Sequence, residues 1–374
     1  MAGIYLHIPF CRKACTYCDF HFSTQLKGKD AFLQALYKEI TLRADDWRNQ
    51  VFETIYFGGG TPSVLTLAEL EQILTLLHNT YQIEAKEVTF ELNPDDADVA
   101  YLRGLRALGV DRLSIGLQSL RDQDLLWMGR THRKEDILRI PDRVRQAGFE
   151  KYSVDFIYGM PGMKAEEWTE QLNWIVEHAI PHVSLYALTV EERTALHYQI
   201  RNGLSPEPDP EQQLREFRMA HEHLAHRGFL HYEVSNFSQV NYEALHNSSY
   251  WRLKPYVGFG PSAHSYQSGE RSWNLANNAV YVKSLQEGRR AFDHEKLSEN
   301  ERFNESVMLG LRTSRGIDLK KLGDSFGEKT VSELRVSLQK HPRKHAFEVE
   351  DNSVKLKLEY WFQADGFAAD LFRL

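Results

Sequence analysis

The sequence has no excess of basic residues and no long apolar run. Its 374 residues include 45 Lys and Arg against 52 Asp and Glu, a formal net charge of −7 with His neutral. An acidic chain has no general attraction to a phosphate backbone or an anionic lipid surface, so nucleic-acid binding is disfavoured. The longest apolar stretches have the length of strands, well short of the roughly 18 residues that indicate a membrane span.

The first residues also lack the marks of a secretory signal. The segment MAGIYLHIPF has neither a charged start nor a small-residue cleavage site. We therefore expect a cytoplasmic protein with at most peripheral membrane contact. With 42% hydrophobic and 26% charged residues, the composition is that of a globular protein.

Cysteine is scarce. The chain has three, Cys11, Cys15 and Cys18, and no thiol follows them. An odd number at so tight a spacing argues against a disulfide framework. Thiolates grouped as C-x3-C-x2-C in a loop after a strand select zinc or an iron–sulfur cluster. A structural zinc site would need a distant His as its fourth ligand. Three thiolates on a [4Fe–4S] cluster would leave one iron open to a substrate or cofactor, and the spacing favours this arrangement.

Short runs rich in β-branched and aromatic residues alternate with amphipathic segments in the first half of the chain. This alternation predicts parallel strands joined by right-handed helical crossovers. Six such units form an open partial (β/α) barrel or a doubly wound sheet, and periodicity alone does not separate the two. In both, ligands bind at the carboxyl ends of the strands. The predicted strands are 4–8, 54–57, 87–92, 111–117, 152–157 and 182–188, and the predicted helices are 31–44, 67–79, 99–107, 134–147 and 165–178.

The pattern changes after about residue 190, which predicts three domains. Residues 1–190 form the barrel, 191–294 an accessory extension of the sheet, and 295–374 a C-terminal α+β unit. The last unit has three helical segments and a probable hairpin, FEVEDNSVKLKL, and it resembles a winged helix. Its 14 Lys and Arg balance its 14 Asp and Glu, so it has no net positive charge that would favour sequence-specific DNA binding.

The segment CRKACTYC, with an aromatic residue before the last Cys, resembles the signature of the radical S-adenosylmethionine (SAM) superfamily. Its members hold SAM on the open iron of a [4Fe–4S] cluster. The motifs YLHIPFC, YFGGGTPS, ELNPD, RLSIGLQS, GRTH, DFIYGMPG and GPSAHS occur in the order seen in the oxygen-independent coproporphyrinogen III oxidases and their relatives, the radical SAM heme chaperones. The resemblance covers roughly residues 3–270 and, more loosely, the C-terminal unit. It implies an α/β fold with a partial (β/α)6 radical SAM barrel, to which the pattern of the later segments adds a sheet extension and a winged-helix-like C-terminal α+β unit.

The resemblance also implies the residues of the site. Cys11, Cys15 and Cys18 would hold the cluster. Three residues would lie near the SAM bound to it, namely Tyr5, Gly59 and Glu91. Others would surround that pocket or a second SAM site: Tyr17, Gly60, Thr61, Gln118, Arg130, Asp155 and Ala187.

Three features distinguish the oxidases from the chaperones. The oxidases carry a further Cys two residues after the triplet, where this chain has Phe20, and they have a longer segment ahead of the first strand. The segment HNSSYW, which begins at His246, matches the H-N-x-x-Y-W motif of the chaperones. A neutral imidazole is a common axial ligand of heme iron, so His246 is the candidate heme ligand.

The expected function is that of a heme chaperone, which would bind a [4Fe–4S] cluster, SAM and heme and deliver heme to apo-hemoproteins such as respiratory cytochromes at the membrane. One alternative is an oxygen-independent coproporphyrinogen III dehydrogenase, which decarboxylates two propionates by radical hydrogen abstraction. Another is a non-catalytic protein in which the cluster is structural or senses redox state. The sequence leaves monomer and homodimer open, together with the identity of the heme acceptor.

Overall fold

The first half of the chain alternates strands and helices as predicted. The structure is a computed structural model that describes residues 2–373. In chain order this half comprises β1 (Ala2–Ile8), α1 (Lys29–Leu42), β2 (Val51–Gly59), α2 (Leu67–Thr80), β3 (Gln82–Leu92), α3 (Val99–Ala107), β4 (Arg112–Gln118), α4 (Asp122–Trp127), α5 (Lys134–Leu138), α6 (Ile140–Gln146), β5 (Lys151–Tyr158), α7 (Ala165–Glu177) and β6 (His182–Ala187).

The second half adds shorter strands to both sides of this unit. Its elements are α8 (Ala195–Arg201), α9 (Pro210–Ala225), β7 (Leu230–Glu233), β8 (Asn236–Ser238), α10 (Leu245–Trp251), β9 (Tyr256–Phe259), β10 (His264–Gln267), β11 (Glu270–Asn274), α11 (Asn278–Gln286), β12 (Phe292–Lys296), α12 (Glu299–Leu311), β13 (Ile317–Asp318), α13 (Leu319–Phe326), α14 (Glu328–Lys340), β14 (Phe347–Val349), β15 (Ser353–Leu356) and α15 (Ala364–Ala369).

All six predicted strands are present, and each pairs in parallel with the next. The predicted helices are present as well, with one correction. The helix expected over 134–147 is interrupted at Arg139, where α5 ends and α6 begins. The reason is Pro141 in the first turn of α6, since proline has no N–H to donate to the preceding turn and its ring clashes with that turn.

The parallel sheet stays open because its first and sixth strands pair with added strands rather than with each other. The order of the 12-stranded sheet is β12-β11-β10-β9-β1-β2-β3-β4-β5-β6-β8-β7. Strand β9 pairs in parallel with β1, while β10, β11 and β12 continue the sheet in antiparallel fashion. The predicted sheet extension therefore adds strands at both edges of the parallel unit.

The C-terminal residues form a smaller unit with the predicted elements. Helices α12 to α14 accompany a three-stranded antiparallel sheet in the order β13-β15-β14. Its assignment as a winged helix stays a prediction. The three-domain division also stays a prediction, and its boundary between 294 and 295 falls inside β12, the edge strand of the large sheet. In residues 2–373, no helix is both long enough and apolar enough to cross a membrane.

A buried carboxylate joins α1 to the added strands beside β1. Glu39 is fully buried, and its oxygens accept hydrogen bonds from the backbone N–H of Gly260 at 2.9 Å, the Asn274 amide at 2.8 Å and the Tyr281 hydroxyl at 2.7 Å. These donors come from the β9–β10 loop, from β11 and from α11. One side chain thus connects α1 to three separate segments of the extension.

Two arginines supply the charge that balances Glu39. The guanidinium groups of Arg43 and Arg290 lie 3.6 and 3.7 Å from Glu39 Oε1. Arg43 also donates to the carbonyl oxygen of Gly258 in β9 at 2.7 Å. A buried ion pair is costly to break, because the remaining charge is left without a counterion in a medium of low dielectric constant.

We predict that Glu39→Gln lowers the free energy of unfolding by about 3 kcal/mol, because Arg43 and Arg290 lose their shared counterion. The measurement is urea unfolding of the full chain. Glu71→Gln is the matched control, since Glu71 is an exposed glutamate on the neighbouring α2. Equal stability of the two variants would contradict this role for Glu39.

Candidate functional site

The inner face of the parallel strands is polar near their carboxyl ends. Side chains alternate along a strand, so every second residue points to this face. There the Tyr56 hydroxyl donates to Glu91 Oε1 at 2.6 Å. The Ser114 hydroxyl lies 3.5 Å from Asp155 Oδ2. Two carboxylates from β3 and β5 thus lie within the open barrel, where desolvation acts on both.

The cysteine loop begins directly after β1 and is closed by backbone hydrogen bonds. The N–H of Cys11 donates to the carbonyl oxygen of Ser23 at 3.0 Å, and the N–H of Ser23 donates to that of Pro9 at 2.9 Å. All three thiols are half-buried. Burial raises the pKa of Cys11, and it raises the pKa of Cys18 to about 11. The three thiols therefore lie in one loop that backbone hydrogen bonds close.

Two polar side chains contact the thiols, one from the loop after β2 and one from the loop between α4 and α5. The Thr61 hydroxyl donates to Cys11 Sγ at 3.4 Å, and the Arg130 guanidinium donates to Cys15 Sγ at 3.5 Å. Arg130 also donates to Asn93 Oδ1 at 2.8 Å, and the Asn93 amide donates to Thr61 Oγ1 at 3.4 Å. Asn93 was not singled out from the sequence. It lies two residues after Glu91 in the motif ELNPD, and its side chain links Thr61 to Arg130.

Gly60 lets the loop after β2 pack against the cysteine loop. Its N–H donates to the carbonyl oxygen of Ile8 at 2.9 Å, and the N–H of Thr61 donates to that of Phe10 at 2.7 Å. A Cβ atom at Gly60 would lie 2.7 Å from the Phe10 oxygen, which is a clash with backbone. The preceding Gly59 has φ +104°, a conformation that favours glycine. These glycines are therefore required by the turn itself, whatever ligand lies above it.

The remaining predicted residues lie around the same strand ends. Tyr17 interacts electrostatically with Arg130, Cys15, Cys18 and Asp155, and burial raises its pKa. The Gln118 side chain lies beside Gly116. Gln118 is the last residue of β4 and has a left-handed φ of 74°. Tyr5 contacts His7 through a hydrogen bond of 3.1 Å. Ala187 ends β6 and pairs with Tyr158 of β5.

His246 lies against Gly3 and Thr54 in the first half of β1 and β2, whereas the cysteine loop follows the carboxyl end of β1. It is only 2% exposed, and its Nδ1 and Nε2 are hydrogen-bonded to Thr54 Oγ1 at 2.7 Å and to the Tyr250 hydroxyl at 2.8 Å. Its ring stacks on Tyr56 with 5.1 Å between centroids. Glu87 accepts from the first N–H groups of α10 and holds this helix against the strands. Helix α10 thus closes the floor of the barrel, and the role of His246 as a heme ligand stays a prediction.

The chemistry of the thiols fits an iron–sulfur cluster. Soft thiolates are its usual ligands, and hydrogen bonds to the sulfurs, as from Thr61 and Arg130, tune its potential. In residues 2–373, no three His, Cys, Asp or Glu side chains are grouped so that they could hold a metal ion. A cluster is a different arrangement from a single ion, because each thiolate binds its own iron.

Comparison with known proteins places this chain in a family. The profile of the Radical SAM superfamily matches residues 5–175. The heme chaperone HemW of Bacillus subtilis (strain 168) is 31% identical over 331 residues, which cover 87% of each protein. That of Lactococcus lactis subsp. lactis (strain IL1403) is 34% identical over 325 residues, covering 86% of this chain and 84% of the relative. The chain belongs to the HemW family. Membership of the radical SAM superfamily implies a [4Fe–4S] cluster and SAM.

The fold agrees with this assignment. The coproporphyrinogen III oxidase HemN from Escherichia coli, a radical SAM enzyme, has a TM-score of 0.86 with this chain at 21% identity. The match covers 99% of this chain and 90% of the oxidase. The expected α/β fold with a partial, open radical SAM barrel is therefore confirmed. At this identity the likeness concerns the fold alone.

Burial raises the pKa of Glu91 from 4.5 to about 7, and the nearby Asp155 carboxylate acts in the same direction. Because the folded-state pKa is the higher one, the folded protein holds a proton that the unfolded chain releases. Stability from this group is present below about pH 4.5 and is lost as the pH rises through about 7.

We predict that the free energy of unfolding of the cluster-free protein falls by about 1–2 kcal/mol across this window because of Glu91, after allowance for its partial exposure. Urea unfolding between about pH 5 and about pH 8 measures the effect. Glu91→Gln should flatten this part of the profile, while the control Glu71→Gln should keep it. A Glu91→Gln profile as steep as that of the wild type would refute the interpretation.

We also predict that His246→Ala lowers the free energy of unfolding by about 2–4 kcal/mol, because it removes two buried hydrogen bonds and leaves a cavity. Urea unfolding without heme is the test. His294→Ala is the control, since His294 lies exposed on β12 and should change stability by less than about 0.5 kcal/mol. Unchanged stability of His246→Ala would mean that the residue does not hold the floor of the barrel.

Proposed function

We propose that this protein is a heme chaperone, which binds a [4Fe–4S] cluster, SAM and heme and delivers heme to apo-hemoproteins such as respiratory cytochromes. The observation that carries the proposal is the likeness to two proteins named heme chaperone HemW, at 31% and 34% identity over most of the chain. The segment HNSSYW and Phe20, which stands where the oxidases have a further Cys, support the same branch.

In this proposal Cys11, Cys15 and Cys18 hold the cluster. The closed loop after β1 keeps the three thiols near one another, and Thr61 and Arg130 hydrogen-bond to two of the sulfurs. When bound, the cluster supplies an iron without a protein ligand, at which SAM can coordinate.

SAM carries positive charge on its sulfonium and amino groups, and Glu91 and Asp155 are half-buried carboxylates on the inner face of the open barrel. Burial raises the pKa of Asp155 to about 6 and that of Glu91 to about 7, so each is readily ionised by a cationic neighbour. Arg130, whose guanidinium contacts Cys15 from the loop between α4 and α5, is suited to a carboxylate. The opposite charges of these side chains would orient an amino-acid group beside the thiols.

The test is anaerobic reconstitution of the full chain with iron and sulfide, followed by SAM binding, hemin titration and a coproporphyrinogen III assay on the same sample. We expect cluster formation, heme binding, transfer of heme to an apo-cytochrome and no decarboxylation. Cys15→Ser should lose the cluster, because two thiolates remain. Thr61→Val is the matched control, which should keep the cluster iron and lower its reduction potential by removing one hydrogen bond to sulfur.

Two outcomes would contradict the proposal in different ways. Conversion of coproporphyrinogen III without retention of heme would make the protein an oxidase. Heme transfer that is undiminished in Cys15→Ser, despite the loss of iron, would mean that the cluster is dispensable for chaperoning and serves as a structural or redox-sensing element.

A further inference from the structure

A cavity of about 480 Å³ lies between the cysteine loop and the strands added beside β1. Asp19, Phe20 and His21, which directly follow Cys18, form one side of it. The other side comes from α10, β9, β10, β11 and α12. This volume is that of an ordinary cofactor pocket, for which roughly 300–1,000 Å³ is typical. Among the lining residues, the resemblance assigns only Tyr5 to the surroundings of SAM.

The wall formed by the sheet is aromatic because alternation brings side chains of neighbouring strands to one face. Tyr256 of β9 pairs in register with Tyr266 of β10, and their rings stack with 6.4 Å between centroids. Tyr250 of α10 meets Tyr256 edge-on at 4.7 Å. Phe20 faces this wall from the cysteine loop with 66% of its surface exposed. Flat aromatic surfaces of this kind pack well against a planar macrocycle.

Three histidines line the cavity, and of these His264 alone has both ring nitrogens free of hydrogen bonds to the described residues. In His7, Nδ1 bonds to the Tyr5 hydroxyl and Nε2 to the carbonyl oxygen of His21 at 2.8 Å. His21 bonds through Nε2 to Asn278 Oδ1 at 2.7 Å. Within residues 2–373, no hydrogen bond or ion pair holds the ring of His264, which is exposed and only stacks on Trp273 at 5.7 Å.

The protonation state of His264 also suits a metal ligand. Partial desolvation of this exposed ring and the nearby Arg271 lower the pKa of His264, while Glu295 acts in the opposite direction. The ring is therefore neutral at physiological pH, the form in which imidazole binds iron. By contrast, both ring nitrogens of His246 are engaged within the floor of the barrel, so a heme iron there would first have to displace Thr54 or Tyr250.

The charges in the cavity balance. Lys254 and Arg271 supply two cations that suit two propionate groups, and Asp19 and Glu305 supply two anions. Arg271 is already paired with Glu305 and Glu295. Net attraction is therefore small, and affinity for an anionic macrocycle would come from the aromatic wall and the iron ligand.

We propose that this cavity is the heme site and that His264 supplies the axial ligand of the iron. This assignment rests on the proposed heme-chaperone function and specifies where in the molecule the heme is bound. It places the macrocycle beside the cysteine loop, next to the residues that follow Cys18, rather than at the floor of the barrel.

The test is a titration of the full-length, anaerobically reconstituted protein with hemin, followed by absorption spectroscopy. His264→Ala should weaken binding by about tenfold or more and shift the Soret band, and added imidazole should restore the band. The matched control is His294→Ala, because His294 pairs with Ser272 on the opposite face of the same sheet extension and should leave affinity within about twofold. Affinity should depend only weakly on salt.

A second readout locates the heme without relying on affinity. Because Trp273 stacks on His264, heme in this cavity quenches its emission, and Trp273→Phe should remove part of the heme-induced quenching. Circular dichroism and iron content identify any variant that fails to fold, and His264→Gln is a milder replacement for that case.

The outcomes separate this assignment from the proposed function. Wild-type binding with an unchanged spectrum in His264→Ala and His264→Gln would overturn the site and leave the function intact. Loss of the Soret band in a folded His246→Ala variant alone would place the ligand in HNSSYW instead. Absence of heme binding by the wild type would overturn both the function and the site.

Discussion

The open side of the sheet depends on one buried carboxylate. Glu39 accepts hydrogen bonds from three segments of the extension and shares its charge with two arginines, so α1 and the added strands behave as one body. Backbone hydrogen bonds and the buried side chains of Val257 and Phe259 hold β9 against the core, and Glu39 adds a polar link to the loop that follows it. The link fixes the added strands beside β1, whose edge would otherwise be unpaired. These strands form one wall of the cavity beside the cysteine loop, so the cavity depends on them.

The parallel unit was predictable because its signals are local. Each strand is a short β-branched or aromatic run, and each helix has apolar residues at three- and four-residue spacing, so strand, helix and connection can be identified from neighbouring residues. The interruption at Arg139 also has a local signal in Pro141. The pairing of β9 with β1 has none, since the two strands are about 250 residues apart in the chain and β9 has only four residues. Such a pairing is decided by tertiary packing.

The site divides in the same way. The cysteine triplet could be recognised because its spacing, its position after a strand and the absence of a fourth Cys constrain its chemistry. Asn93 and the cavity residues, in contrast, are brought near the cysteine loop only by the folded sheet. HNSSYW shows the limit of motif reasoning, since the sequence places a His beside two aromatics and the structure buries that His beneath the strands with both nitrogens engaged. His264 lies in the motif GPSAHS, whose letters give no indication that its ring is left free over an aromatic wall.

The central position of β1 has a consequence for synthesis of the chain. During synthesis β2 soon follows β1 and can pair with one of its edges. The other edge stays unpaired until residues 256–259 of β9 have been made. At ordinary translation rates this interval lasts roughly ten seconds or more. During that time the cysteine loop has no wall beside it and is open to cluster assembly, while an unpaired strand edge is open to wrong partners. Truncation before β9 would make that exposure permanent.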